Sequence, residues 1–465
     1  MRALLLTCAL LAPTLASAQQ WTFQEDVSVP YTNAPGVGAH GLAVDNEGRL
    51  WIQNYYASET VLRNGTPTAV QALYVLNEDG SQAACSPIKY IEDNSGAVVD
   101  TLGVYTTAAG AQDSRTGRGM TSDADGNIVV SQYDNLYLLD ASSCTAERDS
   151  SVVQIAVAQP FPGASITEAA TDGLGNYYVT RVVADGFPIV QYGPGLVQGQ
   201  NVTDDAYDIG RDLLATTDGQ VVLDHAFTKP GSVLHYRPDT FTPFDSIGVT
   251  LRGLAIEASG VQPGTDYIWV SSGPGGAVFP NTDPEVETFY QAYSWYAFAQ
   301  EDLYTVDGSG DVTTVENPTP RDSIIVTAEE WGAEDPGPRG IAFSADGMTV
   351  YLANFGAPTA SAIKKYMLME TAVEGSPADA LALTQNRPNP FSGRTEISFE
   401  LDAPGSARLR VFDVTGREVA TLVDGFLVAG PHEVTFEAGA LAPGTYLYTL
   451  EADGYVATRR MAVVR

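Results

Sequence analysis

Lysine is nearly missing from this chain, standing only at positions 89, 229, 364 and 365, and histidine occurs four times in 465 residues. Against 57 Asp and Glu there are 24 Lys and Arg, a formal net charge of −33. So acidic a chain is repelled by nucleic acid and by anionic membranes, which argues against both as partners. The carboxylates are dispersed, which suits a solvated surface and leaves diffuse cation binding as the other reading. Cysteine is scarce too, with three in all. Cys8 lies in the apolar start of the chain, so Cys85 and Cys144 remain. In an oxidising compartment they are candidates for a disulfide, with two free thiols as the alternative. No Cys/His cluster has zinc spacing, and there is no G-x-S-x-G, H-E-x-x-H or phosphate-binding glycine loop. Neither a metal nor a cofactor is expected.

Long apolar runs are also lacking, except at the start. Arg2, the apolar run 3–11 and the small residues Ala16-Ser17-Ala18 form a signal peptide over 1–18, too short to span a bilayer. No later run approaches ~18 residues, so no transmembrane segment is expected in the mature chain, and its route leads through the periplasm.

What the chain has in abundance is self-similarity. The stretches "HGLAVDNEGRLWIQNY" (40–55), "RGMTSDADGNIVVSQY" (118–133), "TEAATDGLGNYYVTRV" (167–182), "RDLLATTDGQVVLDHA" (211–226), "RGLAIEASGVQPGTDYIWVSS" (252–272) and "RGIAFSADGMTVYLAN" (339–354) align on their glycines. Each reads as a short strand, an Asp/Ser-rich turn with a Gly seven residues after the anchor, and a second strand rich in Val, Ile, Tyr and Trp. Third strands follow at 72–76, 136–140, 189–192, 233–236, 303–307 and 362–366, and fourth strands at 151–158 and 311–318. Four antiparallel strands repeating every ~40–50 residues are the pattern of a propeller blade. The anchors 41, 119, 168, 212, 253 and 340 give six blades, the two long intervals being insertions. Residues 21–30 supply the missing outer strand of the last blade and close the ring.

The repeats resemble the YVTN and NHL-like β-propellers over 21–370, "PRGIAFSADGMTVYLAN" most closely. That resemblance implies architecture and leaves open ligand binding, lyase or lactonase chemistry, and protein interaction. A segment at 373–382 reads as a linker. Beyond it, 383–465 has period-2 strands and Gly-bearing turns, which together make an Ig-like β-sandwich. The "QNRPNPF" opening, "VFDVTGREVATL" and the basic last strand resemble the type IX secretion C-terminal sorting domain. This resemblance implies export by the type IX machinery to the outer-membrane surface or the extracellular space. The expected fold is thus all-β: a signal peptide (1–18), a six-bladed β-propeller (19–372), a linker (373–382) and a sandwich (383–465).

Propeller geometry then makes residue order informative. His40, Arg118, Thr167, Arg211, Arg252 and Arg339 precede the first strands. Asn54, Tyr133, Arg181, His225, Ser272 and Asn354 end the second strands on the same face, where the excursions 55–71, 93–117, 273–301 and 318–338 also fall. Arg118, Arg211, Arg252 and Arg339, with Asn54 and Asn354, form a candidate pocket for an anionic small molecule or glycan, since the guanidinium fork holds carboxylate or sulfate bidentately. In the competing reading each Arg pairs with an acid, Asp113, Asp212, Glu257, Glu334 or Asp335. His40 and His225 are candidates for acid/base catalysis, as in the streptogramin lyase-like propellers. "DADGN" (123–127) is either a turn or a calcium loop. The aromatic stretch "ETFYQAYSWYAF" (287–298) either stacks on sugar rings or packs on its blade.

Overall fold

The structure is a computed structural model. It describes residues 19–31, 38–106, 112–114, 116–182, 188–202, 210–226, 232–237, 245–249, 256–273, 291–306, 312–315, 318–333, 337–358, 360, 362–370, 383–389, 391–401, 405–413, 417–428, 430–439, 441–442, 444–452 and 455–464. The expected signal peptide and linker lie outside these residues. The chain divides into two compact units, Gln19–Met369 and a second that includes Glu370–Arg465.

In the first unit, six sheets follow one another among the described residues. Blade 1 pairs Ala39–Val44, Leu50–Asn54 and Leu73–Leu76 in order. Its excursion 55–71 folds into a separate hairpin, Glu59–Arg63 against Thr66–Val70. Blade 2 runs Gly117–Ser122, Ile128–Gln132, Asn135–Leu139 and Ser151–Ala158, and the hairpin Tyr90–Glu92/Val98–Thr101 extends its outer edge. Blade 3 is Ala170–Thr171, Tyr177–Val179, Val190–Gly193 and Val197–Asn201. Blade 4 is Gly210–Ala215, Val221–Ala226, Ser232–Tyr236 and Asp245–Val249. Blade 6 joins Pro338–Phe343, Thr349–Asn354 and Ile363–Glu370 to the N-terminal strand Gln19–Asp26.

Blade 5 departs from the expected register. Its first strand is Ser259–Val261, and the turn glycine at positive φ is Gly264, not Gly260. Its third strand is Trp295–Ala299, fully buried, and its fourth is Asp322–Ile324. Tyr304–Val306 and Val312–Thr314, expected as third and fourth strands, pair only with each other. The reason is burial on both faces. "WYAFA" lies between two blades and shows no polar alternation, so it reads as an aromatic insertion and not as a strand.

Apolar seams join the sheets into a ring. Trp51, Val75, Met120 and Val130 fill the seam between blades 1 and 2, and Leu138, Ile166, Tyr177 and Val190 the next. Tyr178, Leu213 and Val222 join blades 3 and 4, and Leu223, Leu234, Ile268 and Phe298 blades 4 and 5. Trp269, Trp295, Val350 and Leu352 join blades 5 and 6, and Leu42, Ile52, Tyr351 and Ala353 return to blade 1. Cys85 and Cys144 are joined in a disulfide, Cα atoms 5.1 Å apart, inside the seam of blades 1 and 2.

In the second unit, Arg394–Leu401 pairs with Gly430–Glu437, and Glu418–Leu427, Gly405–Asp413, Gly444–Ala452 and Tyr455–Val463 form a four-stranded sheet. Ile397, Phe399 and Phe436 of one sheet share a core with Leu409, Val411, Tyr448 and Met461 of the other. The "QNRPNPF" opening is tied in through Asn386, whose N–H donates to the Tyr448 hydroxyl at 2.8 Å and whose Nδ2 donates to Thr395 Oγ1 at 2.9 Å.

Ring closure depends on Trp21. Its ring meets Trp269 edge-on at 5.8 Å and Phe343 at 6.1 Å, and Nε1 donates to Asp322 Oδ2 at 3.0 Å. Replacing a buried Trp by Ala costs ~3–5 kcal/mol. Trp21→Ala is therefore expected to lower the urea midpoint of the first unit by a corresponding amount; an unchanged midpoint would show that the N-terminal strand does not clasp the ring.

Candidate functional site

Antiparallel pairing sets Ala39 opposite Asn54, Gly117 opposite Gln132, Gly210 opposite Ala226 and Pro338 opposite Asn354, all at one end of the ring. In each pair the next partner of the second strand faces the residue two steps on: Gly41, Gly119, Asp212 or Gly340. The residue skipped is a β-bulge, and in the four sheets it is His40, Arg118, Arg211 and Arg339. A bulge frees one residue from the ladder and re-aims its side chain. The recurring basic residue is thus placed by backbone geometry at the mouth of the ring.

Three of these side chains converge on two aromatic rings. His40 is buried, stacked on Tyr55 at 5.4 Å and edge-on to Phe355 at 5.9 Å. The Arg118 guanidinium lies 5.1 Å from the Tyr55 ring centre, and its Nε donates to Ser165 Oγ at 2.8 Å. The Arg339 guanidinium lies 5.6 Å from the Phe355 ring centre and forms a buried ion pair with Glu257. Tyr55 also meets Tyr56 and Phe355, at 4.8 and 5.3 Å. Tyr56 is about half exposed and Arg118 partly so. The arrangement is a cation–π cluster with an aromatic and a guanidinium facing outward.

The blade 5 register explains the Arg339 pair. Ser271 N–H donates to the Ala258 carbonyl, which sets Glu257 at the mouth position that Arg339 holds in blade 6. Arg252, expected at the mouth of blade 5, lies outside the described residues. Of Arg211 only the backbone is described, and the side chains of Asp113, Glu334 and Asp335 lie outside the description.

Asn54 and Asn354 are fully buried. Asn354 Oδ1 accepts from the N–H groups of Gly337, Gly356 and Ala357 at 2.9, 3.0 and 3.1 Å. Asn54 Oδ1 accepts from the Tyr31 hydroxyl at 2.9 Å. Asn354 fixes the backbone on both sides of Phe355.

The two histidines stand three seams apart, on blades 1 and 4. His225 is fully buried, and desolvation lowers its pKa to about 3, so the imidazole is neutral at physiological pH. "DADGN" is a turn: Asp123 Oδ1 accepts from the N–H groups of Asp125 and Asn127 at 3.0 and 2.8 Å.

At the opposite, turn-bearing end, a cavity of about 430 Å³ opens along the channel. Asp45, Asp123, Glu168, Asp172 and Asp212 line it, and among the described residues no Arg, Lys or His does. Among the described residues the ionisable groups lining this cavity are carboxylates, which repel an anion from it.

The aromatics were the part that sequence reasoning missed. Their signal is positional: Tyr55, Tyr133 and Phe355 each follow the last Asn or Gln of a second strand in blades 1, 2 and 6.

Among known proteins, the family described as "Secretion system C-terminal sorting domain" matches residues 387–464. The chain thus carries a type IX sorting domain, which engages the type IX machinery and directs it to the cell surface or extracellular space. No curated protein matches the chain. Among solved structures it is similar to PorZ, a surface component of the type IX secretion system of Porphyromonas gingivalis, at 12% identity, covering 91% of this chain and 51% of that one, with a TM-score of 0.37. It is also similar to a putative 6-phosphogluconolactonase of Bacteroides fragilis (13% identity, 62% and 87% covered, TM-score 0.36) and to the Swd1 β-propeller domain of Myceliophteria thermophila (8%, 73% and 99%, 0.38). The chain spans about half the length of the PorZ chain. No helix among the described residues is long and apolar enough to cross a membrane.

The ion pair gives a direct test of what Arg339 does. Arg339→Met strands a buried Glu257 carboxylate, at a cost of ~3–5 kcal/mol, and adding Glu257→Gln recovers most of the loss. Denaturant unfolding of the two variants checks this; unchanged stability in the single variant would return Arg339 to the role of a free ligand-binding group.

Proposed function

We propose that this type IX-exported surface β-propeller recognises an acidic glycan or small carboxylate at the loop-side mouth of its ring. The observation that carries the reading is the Arg118 guanidinium, anchored on Ser165, lying over Tyr55 and beside the half-exposed Tyr56. A guanidinium offers a planar fork to a carboxylate, and an aromatic face takes the apolar side of a pyranose ring. A fixed Arg loses little freedom on binding, so the geometry favours recognition. Charge distribution supports the same polarity, because the turn-side cavity is lined by carboxylates alone among ionisable groups.

His40 enters this reading as packing for Tyr55, Asn354 as the residue that fixes the loop around Phe355, and Asn54 as the partner of the Tyr31 hydroxyl. The neutral, buried His225 favours binding over acid/base turnover. The leader at 1–18 completes the route, delivering the chain to the periplasm before the C-terminal domain is used.

Isothermal titration of the full chain with oligogalacturonate and with an uncharged oligosaccharide of the same length tests the proposal. Saturable binding of the acidic chain alone is expected, weakening with added salt. Arg118→Ala and Tyr56→Ala are each expected to weaken it by about tenfold, or ~1.4 kcal/mol. Equal binding of both sugars, or no effect of Arg118→Ala, would overturn the proposal.

A further inference from the structure

Three buried glutamines stand behind the mouth of the ring, Gln53, Gln71 and Gln132, with exposures of 0, 1 and 4%. Gln53 lies on the second strand of blade 1, Leu50–Asn54, and Gln71 directly follows the hairpin strand Thr66–Val70 of the same blade. Gln132 ends the second strand of blade 2, Ile128–Gln132. An amide out of reach of water needs a protein partner at both of its ends. Each of the three has them.

The Gly119 N–H donates to Gln53 Oε1 at 2.9 Å. Gln53 Nε2 donates to Gln132 Oε1 and to the Ser131 carbonyl, both at 3.2 Å. Gln132 Nε2 donates to Gln71 Oε1, and Gln71 Nε2 donates to the Tyr55 carbonyl at 2.6 Å. The direction of this chain is dictated from its two ends. A backbone N–H only donates and a backbone carbonyl lacks a proton to give, so Gln53 must present oxygen to Gly119 and Gln71 nitrogen to Tyr55. Gln132 then has one orientation that sets neither oxygen against oxygen nor nitrogen against nitrogen. Glycines make the room. A Cβ at Gly117 would meet Gln53 Cδ at 2.6 Å, and one at Gly103 would meet Gln71 Cβ at 2.8 Å. Gln53 therefore grips blade 2 on both sides of Arg118, packing on Gly117 before it and accepting from Gly119 after it.

Taking the loop-side mouth as the ligand site proposed above, we infer that Gln53, Gln132 and Gln71 are its positioning residues, a directional amide relay that holds the Arg118 bulge of blade 2 in register with the Tyr55 backbone of blade 1. Arg118 and Tyr55 come from different blades, yet the guanidinium must stay over the ring for the two to receive a ligand together. A relay of fixed polarity achieves this without charge, which leaves recognition of the anion to Arg118. Head-to-tail amides polarise one another, so cutting one link weakens those that remain. The gain is preorganisation: less freedom is lost when ligand binds.

The test uses the full chain with Gln71→Met, Gln132→Met and the two combined, since Met keeps the side-chain length and removes the hydrogen bonds. Hydrogen exchange of the Gly119 amide should accelerate by about tenfold in Gln71→Met, two links away, while exchange in Pro338–Phe343 of blade 6 stays as in the wild type. In isothermal titration with oligogalacturonate, each single variant should bind about tenfold more weakly. The double variant should bind no more weakly than the worse single one, because a relay cut once is already broken. Additive losses of affinity, unchanged Gly119 exchange in Gln71→Met, or acceleration shared equally by blade 6 would each overturn the relay. A wild type that does not bind oligogalacturonate would overturn the functional reading instead, and Gly119 exchange would still decide the relay. Should Gln132→Met not fold, Gln53→Met takes its place in the cycle with Gln71→Met.

Discussion

The bulge at the start of a first strand is the constraint on which the rest depends. One extra residue between Ala39 and Gly41, and likewise at 118 and 339, turns a side chain out of the ladder toward the loop side, and the same backbone bulge recurs at 211. The next residue is left facing the channel, where first strands approach so closely that backbone meets backbone. A single local irregularity, repeated in four blades, therefore determines both which residues crown the ring and which must be small to let it close. The "Arg-Gly" step of blades 2 and 6 is this irregularity written in sequence.

The chemistry at the two ends follows. On the loop side, the outward-turned residues meet the aromatics that end the second strands, and guanidinium and ring hold each other in place. One of them, Arg339, is drawn into a buried pair because blade 5 offers Glu257 at the same level. Arg118, whose neighbour on blade 3 is the uncharged Thr167, keeps an outward guanidinium. On the channel side, the small-residue rule is broken only where Glu168 and Asp212 stand. Both are accommodated by reaching into neighbouring blades, Glu168 into the space that Gly119 leaves empty.

Much of this was legible in the sequence because a hairpin repeat writes itself in turn residues. The glycines 48, 126, 175, 219 and 347 all adopt the positive φ that tight turns need. The sorting domain was legible for a similar reason, since "RTEISFEL" alternates exposed and buried residues along one strand. Blade 5 was misread where that signal fails. Gly260 stands in a strand, Gly264 makes the turn, and "WYAFA" is buried on both faces, so neither glycine position nor periodicity marked the true register. At the mouth, the basic residues could be found by their place in the repeat. Their partners could not, because the convergence of Arg118 on Tyr55, or of Arg339 on Glu257, joins different blades and depends on ring closure. The acids at 168 and 212 stood in the aligned anchor column, where their contrast with glycine was the available clue.

Substituting the anchor glycine tests the central claim most directly. Gly41 is outside the left-handed region, so alanine there meets no penalty from its own φ, but meets the Met120 nitrogen at 2.6 Å and the Gly119 carbonyl carbon at 2.8 Å. Gly163 has open space around a positive φ and serves as the reference. Urea unfolding of Gly41→Ala should show a loss of ~1–3 kcal/mol or more, as expected of an overpacked core, exceeding that of Gly163→Ala. A loss at Gly41 equal to or smaller than the loss at Gly163 would contradict the account, since the first strands would then not be in the close contact that the bulge imposes.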